Sequence, residues 1–366
     1  MSFQDYSFTG LWGQINTRFV GILGNGRAKL APVGEPLPEA ELDALADRLA
    51  PVVTELEQMR QQTVIRVDNK ARLWVPVTGG GAAVLVLAVG GGVLGAIVIG
   101  ACAALAAWTY AQHHEARLYT NAVKSAFGEA VAGDLSGFSY DATPEVDPKR
   151  LESWRLFPEL RRTEATDRMT GARDGRNVAL MRLTVAYGRT GGKNKREIST
   201  TVICAEVETG AGAKGITVIA PRKSDTLLRD APERKHGLAR IGVGDTEFDK
   251  KFRVFTSDVE AAARLLDAPM ILRIATLEVV AQGRLPYLVF MPGYLAVLFP
   301  VQPLTMSFEP GPFWVPLDGR ETLTSFASDL AVKHSQLEAV LAIGPGIDPS
   351  PGSCHLWTAP VLQGFS

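Results

Sequence analysis

The sequence predicts an α+β protein: a two-helix transmembrane hairpin with a helical stalk, followed by a mainly antiparallel sheet domain with packed helices. Three observations carry this. Residues Leu73 to Ala111 contain no charged side chain, whereas Arg66, Lys70 and Arg72 stand just before them and Glu115 and Arg117 just after. Apolar residues three and four apart flank that run on both sides, the spacing of one helix face. From Val178 onward the pattern turns to alternation between polar and glycine-rich turns, the spacing of half-buried strands.

Length sets the number of crossings. About 39 residues at roughly 1.5 Å of rise would make a helix of about 58 Å, nearly twice the ~30 Å hydrocarbon core. Breaking the run at Gly90–Gly92 gives two spans, 73–89 and 93–111, each near the lower limit for a crossing. Gly79–Gly81 then lies inside the first span, or else forms the turn of a shallow re-entrant loop that leaves one crossing. Basic residues on both flanks put both termini on the cytoplasmic side of a bacterial inner membrane. Trp74, Trp108 and Tyr110 fall at the membrane interface, where amphipathic rings settle among headgroups. Ala96, Gly100 and Ala104 recur every four residues, a small-residue ridge suited to packing against the first span or to a dimer seam. The competing assignment is a buried hairpin in a soluble protein, which seldom needs so long an uncharged run.

Residues 1–37 read as an N-terminal amphipathic segment and linker. Phe8, Leu11, Trp12, Ile15 and Phe19 share a helical face that suits docking on the soluble domain or lying along an anionic leaflet. The start, MSFQDYSFTG, lacks the basic and apolar regions of a signal peptide, so the apolar run is its own insertion signal. Stalk and hairpin together occupy 38–132. Leu42, Leu45, Leu49, Val52, Leu56 and Met59 form a seam with coiled-coil spacing, which Pro51 is expected to kink or divide. Ala116, Tyr119, Val123, Ala126 and Ala130 form the matching seam on the return helix.

A charged connection, Asp141 to Lys149, leads into the cytoplasmic α+β domain, 140–318. Strands are expected at 178–187, 197–208 and 216–220, joined by local hairpins and therefore antiparallel. Further strands are expected at 238–243 and 252–255. Ser257 and Asp258 can cap a helix running through Leu266, and a second helix spans 269–279. Tyr287–Met291 and Tyr294–Phe299 pair across a Pro292-Gly293 turn. A C-terminal helix covers 319–343, with Leu323, Phe326, Leu330, Leu337 and Leu341 on one face, and 344–366 is a flexible tail.

The run from Glu247 through Phe252 to Asp258, then Ala263-Arg264-Leu265-Leu266 and the strands from Tyr287 to Phe299, resembles the bacterial family known as domain of unknown function 3137. The likeness extends from about Leu42 to Phe299. It implies an integral membrane protein with a cytoplasmic domain, and it brings no catalytic residues to carry over.

No arrangement of residues amounts to an active site. A net charge of −1 over 366 residues gives no sign of a nucleic-acid binder, which would usually show a strongly basic domain. Cys102, Cys204 and Cys354 form no C-x-x-C pair and suggest neither a disulfide framework nor a zinc site. Gly210, Gly212 and Gly215 satisfy G-x-G-x-x-G, but a strand follows where a dinucleotide fold needs a helix. Gly188–Lys193 lacks the first glycine and the hydroxyl of a phosphate loop, and Asp245, Glu247 and Asp249 lack the glycine and closing glutamate of a calcium loop. His113 and His114 fall at the headgroup boundary, and His236, His334 and His355 are isolated. The pairs Arg161-Arg162, Arg222-Lys223, Arg234-Lys235 and Lys250-Lys251 read as solvated charge, or as a lipid-attracting face if they converge.

The expectation is therefore an integral inner-membrane protein, partnered by the bilayer, that presents an α+β domain to a protein partner or to itself, without cofactor, metal or nucleic acid. Two rivals stand beside it. An enzyme acting on a lipid or envelope metabolite would need Asp245, Glu247 or His236 to converge in a pocket. An accessory subunit of a transporter would need polar groups within the spans, which offer Thr78 and Thr109.

Overall fold

The computed structural model describes residues 39–157, 160–189, 196–209, 215–222, 237–281, 284–301 and 313–343. The amphipathic segment, the tail, His236, His355 and Cys354 lie outside them. Within them the chain forms two compact units that interleave in sequence. One takes residues up to Pro144, Thr166–Met169 and the Gln302–His334 segment. The other takes Glu145–Ala165, Thr170–Val301 and the chain from Ser335.

The first unit is built on a helical hairpin. Helix α1 (Glu39–Ala88) runs unbroken through Pro51 and Pro76. Pro51 therefore does not divide it: packing along the helix outweighs the roughly 3 kcal/mol that an interior proline costs an isolated one. The chain reverses at Val89–Gly92, where Gly90 takes φ 82° and the Gly91 N–H donates to the Val86 carbonyl at 2.8 Å. Gly79–Gly81 lies inside α1, so no re-entrant turn forms there. Helix α2 (Val93–Ser136) ends at Gly137, whose left-handed φ of 67° lets its N–H return to the last turn.

Away from the turn the hairpin acquires a third helix. Helix α7 (Gly319–Ile343) begins against α1, where Arg320 pairs with Asp43 at 2.8 Å. A Cβ on Gly319 would come within 2.8 Å of Val53. Phe326 stacks on Phe127 of α2 with ring centroids 5.8 Å apart. This corrects the expectation of a two-stranded stalk. Ala116, Ala126 and Ala130 are only half-buried, while Tyr119, Val123, Phe127 and Val131 are fully buried at every fourth position, because α2 has two partners to meet.

A buried polar cluster closes this unit beyond β1 (Ser139–Asp141). The Tyr140 hydroxyl donates to Asp167 at 2.6 Å, and the Lys124 ammonium stands 3.3 Å from the same carboxylate. Tyr140 lies so close over Gly128 of α2 that any side chain there would overlap its ring. Asp167 holds φ 57°, a conformation that non-glycine residues rarely adopt, at the buried centre of β2 (Leu160–Arg173).

The second unit opens with the short helix α3 (Pro148–Ser153), N-capped by Asp147. Strand β2 leads through Asp174-Gly175, both at positive φ, into β3 (Arg176–Arg189), the geometry of a tight hairpin. The sheet continues with β4 (Arg196–Glu208), β5 (Thr217–Pro221), β6 (Ala239–Ile241), β7 (Phe252–Thr256), β8 (Tyr287–Met291) and β9 (Tyr294–Pro300). Its order is β2-β3-β4-β9-β8-β5-β7-β6, antiparallel at each junction from β3 onward.

This order corrects the expected hairpin between β4 and β5. Strand β4 takes β9 as its second neighbour, with Ala205 opposite Val297, and β5 sits between β8 and β7. One face buries Val185, Tyr187, Cys204, Val218, Phe255, Val289 and Leu298 under Leu151, Trp154 and Phe157, the segment around α3. Helices α4 (Thr246–Lys251), α5 (Val259–Leu265) and α6 (Ala268–Val280) are each N-capped by an aspartate, Asp245, Asp258 and Asp267.

Candidate membrane hairpin and its polar collar

The hairpin distributes its residues opposite to a water-soluble helix pair. Small residues lie inside. Gly79 and Gly100 meet face to face, and a Cβ on Gly100 would stand 2.8 Å from the Gly79 carbonyl oxygen and 3.1 Å from Ala83. A Cβ on Gly79 would stand 3.0 Å from that of Ala104. Ala96 is buried in the same row. So close an approach of backbones is available only to residues without bulk.

Large residues lie outside. Leu73, Val77, Val84, Leu85, Val89, Val93, Leu94, Ile97 and Val98 are each more than half exposed. In the most apolar stretches of the two helices only 6% and 17% is buried, which is not how the core helix of a soluble protein behaves. Both helices are long and apolar enough to cross a membrane. Each such side chain left in water forfeits roughly 1.5–3 kcal/mol. The hydroxyls of Thr78 and Thr109 donate to the carbonyls of Trp74 and Ala106, at 2.6 and 2.9 Å, so each is satisfied by its own helix.

The aromatic residues divide. Trp74 and Tyr110 face outward, but Trp108 is 2% exposed. It stands four residues beyond Ala104 and continues the inward row of Ala96, Gly100 and Ala104, which is why it does not face outward beside Tyr110. Just past the uncharged run sits a collar of charge. Glu115 of α2 is buried and accepts from Lys70 of α1 at 2.6 Å, with Arg66 at 3.3 Å. The hydrogen bond from Lys70 holds the Glu115 carboxyl below the ordinary carboxylate range, against the opposing pull of burial, with the charges of Lys70 and Arg66 adding to the effect. Sequence reasoning saw these residues only as flanking charge, since their pairing depends on the hairpin's register.

A second, partly buried pair lies further along the hairpin. Arg60 holds Glu57 in a two-pronged contact at 2.6 and 2.7 Å and donates to the Phe313 carbonyl, while the Leu317 N–H donates to Glu57. Burial raises the neighbouring Tyr119 to about 12. In the sheet unit, Asp245 is spent on the amides of Glu247 and Phe248, and Glu247 pairs with Lys250 on the surface. Cys204 is buried in the core and its thiol is pushed up by burial. No group of three or more metal-ligating side chains occurs among the described residues.

Residues 203–338 match the model of the family described as protein of unknown function DUF3137, which bears out the resemblance read from the sequence. The crystal structure of the mycobacterial trehalose monomycolate transport factor A, TtfA, is similar over 57% of this chain and 95% of that one. The identity is 14% and the TM-score 0.32, a likeness too slight to carry an argument. No curated protein matches the chain.

Replacing Gly100 by leucine should force the helices apart and lower the thermal stability of the detergent-solubilised protein. Gly80→Ala, whose Cβ would meet nothing within 4 Å, should leave it unchanged. Glu115 gives a pH signature. Because its folded value is depressed, its contribution is complete above the unfolded carboxylate value of about 4.3 and is lost as pH falls through the lower folded value. Melting curves should show wild type losing stability in that acid range, and Glu115→Gln losing less of it there.

Proposed function

We propose that this chain, whose residues 203–338 match DUF3137, is an integral inner-membrane protein that crosses the bilayer twice. Both arms lie on the cytoplasmic side, and the α+β unit is held there to engage a protein partner or a second copy. The observation that carries this is the inside-out hairpin, glycine and alanine within and leucine, valine and isoleucine without, over the uncharged stretch. Basic residues on both flanks supply the orientation, since Lys and Arg concentrate on the cytoplasmic side.

The broad sheet supports a binding role over a chemical one. Many of its acidic side chains are committed to caps and ion pairs, as Asp245, Asp258, Asp267 and the Arg150–Glu206 pair illustrate. A binding unit needs surface and rigidity. Eight elements of that unit, α3, β2 to β5 and β7 to β9, pack around the one face that buries Trp154 and Tyr187.

Protease added outside intact spheroplasts should leave the full-length chain intact, and permeabilisation should expose it to digestion. Digestion of the C-terminal half from outside would overturn the orientation. In-cell cross-linking should then capture a partner or a self-linked species, and recovery of neither would remove the scaffolding role.

A further inference from the structure

The buried face of the sheet unit runs out at the β6 edge, and there its apolar side chains give way to arginines. In an antiparallel pair, residues directly opposite share a face, as do residues two apart on one strand. Ala220 lies opposite Arg253, and Arg240 lies opposite Phe255. Arg222 is two residues beyond Ala220, its backbone N–H fixed to the Lys251 carbonyl at 2.7 Å. Arg222, Arg240 and Arg253 therefore come from three strands to one side of the sheet, where they line a cleft of about 290 Å³ with Ile241, Asp249 and Phe252.

The charge in this cleft is unbalanced. Arg222 and Arg240 are exposed, and neither pairs with a carboxylate among the described residues. Among the described lining residues Asp249 brings the one negative charge, and both its oxygens are turned to backbone amides, Val243 at 3.3 Å and Gly244 at 3.2 Å. Arg253 is anchored, with its guanidinium over the Phe255 ring at 6.0 Å. Among the described residues, the exposed guanidiniums of Arg222 and Arg240 against one occupied carboxylate leave an excess of positive charge. Guanidiniums are planar forks that meet phosphate oxygens two at a time. The volume stands at the small end for ligand sites, enough for a phosphate with a short polar substituent.

We propose that this cleft binds a phosphate monoester or similar oxyanion through Arg222 and Arg240, with Arg253 as the fixed wall. The phosphate could belong to a lipid headgroup or to a soluble metabolite. The site does not depend on the membrane reading, since it is built wholly within the sheet unit.

The test uses the full chain in detergent. Inorganic phosphate is titrated while thermal unfolding is followed, and native mass spectrometry counts bound phosphatidic acid against phosphatidylcholine. Wild type should bind one of the two phosphate probes saturably. Arg222→Gln and Arg240→Gln should each weaken that binding about tenfold or more, the loss of one charge-assisted contact. Both residues are exposed, so the variants should melt with wild type when no anion is added. Binding of phosphate alone assigns a soluble source, and binding of phosphatidic acid alone assigns a headgroup. Binding of neither probe, or equal binding by wild type and both variants, would overturn the proposal.

Discussion

The feature on which the rest depends is the contact between Gly79 and Gly100. It brings two helix backbones close enough that a single Cβ would collide, and most large apolar side chains of the uncharged stretch, Leu73, Val84, Leu85, Leu94 and Ile97 among them, face outward. In water the hydrophobic effect sorts a helix pair the other way, with leucine and valine inside. In lipid that driving force between helices vanishes, and close packing of small residues takes its place. Both helices are long and apolar enough to cross a membrane, and the twice-crossing reading proposed above supplies the apolar solvent that such packing suits. That reading accounts for a run without charge whose two threonine hydroxyls are returned to their own backbone.

Outside this stretch the same helices obey the opposite rule. Leu45, Leu49, Leu56, Tyr119, Val123 and Phe127 are buried, and the first half of α7 completes a three-helix core. The switch occurs at the collar of Arg66, Lys70 and Glu115, which ties α1 to α2 just past the uncharged run. The Lys124–Asp167 pair beside Tyr140 plays a comparable part further on. A buried pair contributes little net stability over an apolar one, but removing one member leaves the other charged and unsolvated. It therefore specifies where β2 meets α2 within this unit.

What the sequence made legible follows from how local each signal is. The hairpin needed only an absence of charge and a glycine triplet. Strands β3, β4, β8 and β9 needed only alternation and the Pro292-Gly293 turn, and the caps at Asp258 and Asp267 needed single residues. Strand β2 was missed because its buried row is Ala165, Asp167 and Met169, and a central aspartate reads as surface until Lys124 and Tyr140 arrive from elsewhere. The Asp174-Gly175 turn was the readable sign of it. The inward turn of Trp108 was not read, because it follows from the row of every fourth residue that begins at Ala96 and not from its place beside Tyr110 in the chain. The β4–β9 pairing and the convergence of Arg222, Arg240 and Arg253 depend on sheet register, which no local window encodes.

The account stands or falls on what surrounds the outward-facing side chains. Spin labels placed singly at Leu85, Leu94 and Ile97 of the full chain, reconstituted in bilayers, report collisions with oxygen, which dissolves in lipid, and with a water-soluble paramagnetic reagent. The inside-out hairpin predicts high oxygen and low aqueous accessibility at all three positions. High aqueous accessibility there would contradict it.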